Sequence, residues 1–143
     1  MRRVVALFGP PGSGKSTVVR LAQLQGVEAH DAEAFGATHA ERVAGLQRVV
    51  ARTAEGLLLV GAADLAPEEF PTGTEFVMLL PPVEEHRRRV LSRGDERPHK
   101  SLEHALKVHG EHTEMSGSFD LVVDYECSAD AVLALIVAGP PHG

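Results

Sequence analysis

Gly9-Pro10-Pro11-Gly12-Ser13-Gly14-Lys15-Ser16, followed by Thr17, is the stretch on which the fold of this chain turns. It fits the pattern G-x-x-x-x-G-K-[ST], in which a glycine-rich loop presents backbone N–H groups to phosphate oxygens. The mechanism demands a particular setting. A strand must run into the loop and a helix must leave it, because a helix N-terminus adds roughly half a positive charge where the phosphates sit. Both flanks are present. Arg3-Val4-Val5-Ala6-Leu7-Phe8 is a nearly continuous apolar run, suited to a strand buried on both faces. Over 15–25, Val18, Leu21 and Ala22 recur at helical spacing, and Gly26 supplies the stop.

Within the loop, Gly9, Gly12 and Gly14 permit backbone angles and close approaches that a side chain would block. Successive N–H groups through Ser13, Gly14 and Lys15 can point inward as an anion nest. Lys15 is spaced to reach the β- and γ-phosphates as a point charge, and the Ser16 hydroxyl, with Thr17 beside it, to ligate magnesium. The implied ligand is ATP or GTP with Mg2+.

Working outward, 27–30 reads as a second strand and 35–55 as a long helix with Val43, Leu46, Val50 and Ala54 on one stripe. Strands are expected at 57–60, 75–80 and 119–123, with an arginine-rich helix at 83–92. Ser101 suits the N-cap of a helix carrying Leu102, Ala105, Leu106 and His109 on one face. Ser128 suits the cap of a last helix in which Val132, Leu135 and Ile136 recur at core spacing. Five strands alternating with helices imply βαβ units and a parallel sheet covered on both faces, and 143 residues fit one domain, 1–143.

Two further features bear on chemistry. His30-Asp31-Ala32-Glu33 ends the second strand, on the sheet edge where the phosphate loop lies. Asp31 could hold magnesium through water or accept the proton of an attacking hydroxyl; capping the next helix is the plainer use of an Asp there. The second feature is basic. Arg87, Arg88, Arg89, Arg93, Arg97 and Lys100 crowd one segment of a chain whose net charge is −6 and whose pI is near 5.7. Arg89 and Arg93 are four apart and share a helix face, and guanidinium groups there could offset charge on a transferring phosphoryl group. A solvated face pairing with Glu84 and Glu85 is the alternative.

The acidic balance argues against a general nucleic-acid binder. Cys127 is the one cysteine, so no intramolecular disulfide can form, which favours a reducing, cytoplasmic setting. The apolar stretch at 129–138 is far short of the ~20 residues that span a bilayer, so a soluble chain with no membrane partner is expected. His104, His109 and His112 cluster in one predicted helix without the carboxylate or cysteine framework of a metal site, and His109 reads as a packing residue.

Val77-Met78-Leu79-Leu80-Pro81-Pro82-Val83-Glu84 followed by Arg89-Val90-Leu91-Ser92-Arg93-Gly94 resembles the strand, helix and lid approach of the small P-loop kinases. That group includes adenylate, shikimate and gluconate kinases, and a run of the form R-[hydrophobic]-x-x-R-G is frequent in it. Phe119-Asp120-Leu121-Val122-Val123-Asp124 and the helix after Ser128 look like their last strand and helix. The resemblance implies a three-layer α/β/α P-loop NTPase fold with sheet order 2-3-1-4-5. It implies an ATP-dependent kinase acting on a nucleotide, nucleoside or small metabolite, with Asp31 near magnesium and the acceptor. Arg93 and Arg97 would belong to a lid at about 93–115, Arg89 to the helix leading into it, and the loop 124–128 would lie against the base.

The departures are specific. Val60-Gly61-Ala62-Ala63-Asp64 lacks the glycine run that shikimate kinase carries after its third strand. Asp64 is the candidate for a second carboxylate, and a helix-cap role suits it as well. Arg48 and Arg52, four apart beyond Arg42, could bind an anionic acceptor, although such a pair is more often a solvated face. These departures keep open a nucleotide-binding module or weak NTPase without a dedicated phosphoacceptor.

Overall fold

The computed structural model describes residues 2–10, 13–80, 82, 84, 88, 102–115, 117, 119–124 and 127–139. Its strands are β1 (Arg2–Phe8), β2 (Glu28–Asp31), β3 (Gly56–Gly61), β4 (Glu75–Leu79) and β5 (Leu121–Val123). The described α-helices are α1 (Lys15–Leu24), α2 (His39–Arg52), α3 (Leu102–Met115) and α4 (Ala129–Ala138). All strand pairs are parallel and the order is β2-β3-β1-β4-β5, as the resemblance implies.

β1 is apolar throughout because both of its faces are covered. Val4, Ala6 and Phe8 join Leu58, Val60 and Met78 against Leu46, Val49 and Val50 of α2. Val5 and Leu7, on the opposite face, join Leu59, Val77 and Leu79 against Val18, Val19 and Ala22 of α1 and Val132, Leu133 and Ile136 of α4. The period-2 alternation of a strand thus feeds two cores, one per helical layer. Burying each such Val or Leu stabilises the fold by about 1.5–3 kcal/mol before conformational entropy is counted.

The region expected as one helix over 35–55 is broken. Ala32–Phe35 is a short turn of 3-10 helix, Gly36 is extended, and α2 begins only at His39. The physical cause is a local cap. Thr38 Oγ1 accepts from the Glu41 N–H at 3.2 Å and donates to Glu41 Oε1 at 2.9 Å, so the helix starts there. A Cβ on Gly36 would fall 2.4 Å from Glu41 Cβ, so the approach to the cap requires glycine. The buried stripe is Gly45, Leu46, Val49 and Val50, whereas Ala54 lies exposed beyond the helix end.

At the chain's end, Ser128 Oγ accepts from the Ala131 N–H at 3.2 Å and caps α4 as expected. His109 is buried in α3, as its place on the apolar stripe predicts. Ser101, and the helix 83–92 apart from Glu84 and Arg88, lie outside the described residues; Glu84 and Arg88 are both helical.

Candidate active site

The phosphate loop leaves the end of β1 beside β4. A Cβ on Gly9 would sit 2.5 Å from Ser13 Oγ and 2.6 Å from the Leu79 carbonyl oxygen, so only glycine allows this exit. Ser13 is buried, and its N–H donates to the Pro10 carbonyl at 3.1 Å. Gly14 then takes φ 97°, the left-handed region, immediately before α1. Unlike α2 and α4, α1 has no side-chain cap and no acidic residue in its first turn. Its first N–H groups are left for something else, and an anion suits them.

Lys15 folds back across the loop and donates from Nζ to the Gly9 carbonyl. Burial pushes its ammonium below the usual lysine range, and the charges of Asp31 and Glu33 act in the opposite direction. Asp31 stands at the C-terminal end of β2, and Gly61, at the end of β3, registers with Asp31 on one side and Leu7 on the other. The ends of β1, β2 and β3 are therefore level, which brings residues 16 and 31 together. Ser16 Oγ donates to Asp31 Oδ2 at 3.2 Å, while Asp31 Oδ1 accepts from the Glu33 N–H at 3.1 Å. The cap weighed for Asp31 is thus made by one oxygen, while the other meets the Ser16 hydroxyl.

The exposed Ser16 hydroxyl and the half-buried Asp31 carboxylate are hard oxygen donors, the type magnesium prefers when phosphates and water complete its shell. Among the described residues no group of three or more His, Cys, Asp or Glu side chains could hold a metal ion. A site of one hydroxyl and one carboxylate fits a metal that arrives with a nucleotide.

Thr17 is exposed at the start of α1. Gly12, Arg89, Arg93 and Arg97 lie outside the described residues, as does the loop at 125–126; of the lid expected at 93–115, the described part is α3. Asp64 proves to be engaged elsewhere: it meets Arg42 Nη1 at 3.1 Å and His39 Nδ1 at 3.0 Å. Arg52 pairs with Glu28 at 2.8 Å, at the start of β2, away from the phosphate-loop edge. It does not join Arg48 in an anion site on that edge.

His112, in the sequence only one member of a histidine cluster, takes a more particular place. Its ring is half-buried in α3, and Nδ1 lies 2.8 Å from the Val108 carbonyl oxygen. Burial pushes its pKa below the usual histidine range, and the positive charge of Lys15 adds to that shift. Only the three-residue spacing from His109 marked it, and that spacing does not report nearness to Lys15.

No protein-family model and no curated protein matches the sequence. Solved structures do. A shikimate kinase from Acinetobacter baumannii in complex with shikimate is 24% identical, with a TM-score of 0.59, over 96% of this chain and 94% of that one. The chain has the fold of the small P-loop kinases. A gluconokinase from Sinorhizobium meliloti is 23% identical, with a TM-score of 0.60, over 96% of this chain and 90% of its own. A shikimate kinase from Aquifex aeolicus is 18% identical, with a TM-score of 0.63, over 96% of this chain and 94% of its own. Among the described residues, no helix is long and apolar enough to cross a membrane.

Proposed function

We propose that the protein is a kinase that transfers the γ-phosphoryl group of ATP to a hydroxyl of a nucleotide, nucleoside or small metabolite. The observation that carries this reading is the pairing of Ser16 with Asp31 beside Lys15, at the uncapped start of α1. A phosphate site alone would need only the loop. A carboxylate joined to its serine, on the sheet edge where ligands enter, supplies a group that can act on an acceptor.

In this reading the loop that runs through Gly9, Gly12, Ser13, Gly14, Lys15, Ser16 and Thr17 cradles the phosphates, and Lys15 leaves the Gly9 carbonyl for the β- and γ-phosphate oxygens. Mg2+, held by Ser16 and Asp31 with the phosphates, would neutralise charge on the β- and γ-oxygens. Asp31 orients the acceptor hydroxyl and takes its proton. Arg93 and Arg97, in a lid spanning about 93–115, close over the transferring group, with Arg89 at the nucleotide. Closure excludes water, the competing acceptor. GTP would be held by the same loop in the same way. The setting we assign is cytoplasmic.

A second reading, a nucleotide-binding module or weak NTPase, is favoured by one observation. Arg42 is paired with Asp64 and donates to the Gly36 carbonyl, so it offers little to an anionic acceptor. Acceptor-dependent ADP release separates the two. A panel of nucleosides, nucleotides and hydroxylated metabolites should contain at least one that raises release above the acceptor-free background. A flat panel would leave the second reading standing.

A further inference from the structure

His39, the first residue of α2, lies between two carboxylates of the segment that follows β3. Its Nδ1 is 3.0 Å from Asp64 Oδ2 and its Nε2 is 2.8 Å from Glu69 Oε2. A neutral imidazole carries one N–H, so it can donate to only one of these oxygens and would turn a ring lone pair toward the other. Only the imidazolium satisfies both contacts together. We propose that His39 is a proton-operated clasp between α2 and the segment after β3, closed as the imidazolium and released as the neutral ring. The proposal rests on this side-chain geometry and stands apart from the phosphoryl-transfer reading.

Asp64 is also tied to α2 by Arg42 and Glu69 is held within its own turn, which leaves the ring as the titratable member of the junction. Asp64 Oδ1 meets Arg42 Nη1 at 3.1 Å, and Arg42 Nε donates to the Gly36 carbonyl at 3.1 Å. Glu69 Oε1 accepts from the Ala66 N–H at 2.9 Å and so closes the turn Pro67–Glu69. The charged groups around the ring are Asp64 and Glu69 across from it, and Arg42 and Glu41 on its own helix. Glu41 is turned to the Thr38 cap. A cation at the first position of a helix opposes the helix dipole, so the charged state of His39 depends on the two carboxylates. The hydrogen bond to Asp64, then that to Glu69, push the ring above the ordinary histidine range; His39 lowers Asp64 in return, and Glu69 is lowered first by the Ala66 N–H and then by His39. The contribution is therefore present below the ordinary value of 6.5 and lost as pH rises through the raised one.

The clasp brackets the site. Asp31 begins the turn Ala32–Phe35 and His39 ends the short link beyond it, so release removes the pH-dependent tie at the far end of the segment that starts at Asp31, while the Arg42–Asp64 pair stays.

The test is an NMR titration of His39 in the full chain, with its ring signal assigned by its loss in His39→Gln. The midpoint should lie above 6.5 in the native protein. In Asp64→Asn/Glu69→Gln it should fall to the ordinary value or below. Amide exchange at 39–42 and 64–69, corrected for its intrinsic pH dependence, should step up through that midpoint, and the step should vanish in His39→Gln. A native midpoint at or below the ordinary value overturns the proposal. So does a raised midpoint that the double variant leaves unchanged, or exchange without a step. If a variant does not fold, the native titration and exchange profile decide alone.

Discussion

Ser16 Oγ donates to Asp31 Oδ2 at 3.2 Å, joining the start of α1 to the end of β2 across the mouth of the phosphate loop. The other Asp31 oxygen takes the Glu33 N–H, so one side chain both ends a strand and faces the site. Asp31→Asn keeps an oxygen for the Glu33 N–H but loses the charge and the basicity. The variant should retain its melting temperature while acceptor-dependent turnover falls by ~10²- to 10⁴-fold. Turnover within a few-fold of the native protein, measured by coupled ADP release, would remove Asp31 from the reaction.

In the proposed reading Lys15 has the main part in triphosphate binding. Mg-ATP at a hundred times its Kd stabilises a folded protein by ~2.7 kcal/mol, on the order of 10 °C in melting temperature for a domain of this size. Lys15→Ala should lose most of that rise in a thermal-shift series against nucleotide concentration. Equal rises in both proteins would contradict the role given to the ammonium.

Two glycines of the loop should respond differently to alanine. At Gly9 the added Cβ meets the Leu79 backbone oxygen, which cannot step aside, so overpacking should cost about 1–3 kcal/mol and distort the loop. At Gly14 there is open space, but φ is 97°, and the strain alone should cost about 1–2 kcal/mol. Denaturant midpoints would check the stabilities. Nucleotide affinity should fall in Gly9→Ala beyond what its stability loss explains.

His112 sets a pH dependence of the opposite sense to that of His39. Its folded pKa is lowered, so the unfolded chain takes up the proton first as pH falls. Stability should therefore decline as pH drops below the ordinary value of 6.5 and level off beneath the lowered folded value. His112→Gln should flatten that part of a denaturant-midpoint profile. A native profile already flat there would place the ring in water.

What the sequence discloses follows from how local the cause is. β1, α1 and the loop between them were legible because their signals lie within a few residues, and the doubly buried strand reads directly from its unbroken apolar run. The strand order came through the resemblance. The helix over 35–55 was drawn too long because its periodic residues outweighed Gly36 and the Thr38 cap, although both stood in plain sight. Asp31 could be assigned to the correct edge, yet its division between two partners depends on the level ends of β1, β2 and β3. The contacts of His39 with residues 25 and 30 positions away have no sequence signature at all. They arise because α2 and the segment after β3 meet above the same edge of the sheet.

The fold-back of Lys15 onto the Gly9 carbonyl gives the loop its own internal competitor. Any incoming anion must offer the ammonium more than that carbonyl does. A ligand with a single weak charge gains little by the exchange, whereas one with several phosphate oxygens can displace the carbonyl and fill the helix end in the same event. The loop thereby acts as a threshold on charge, set by a backbone oxygen six residues upstream of the lysine it holds.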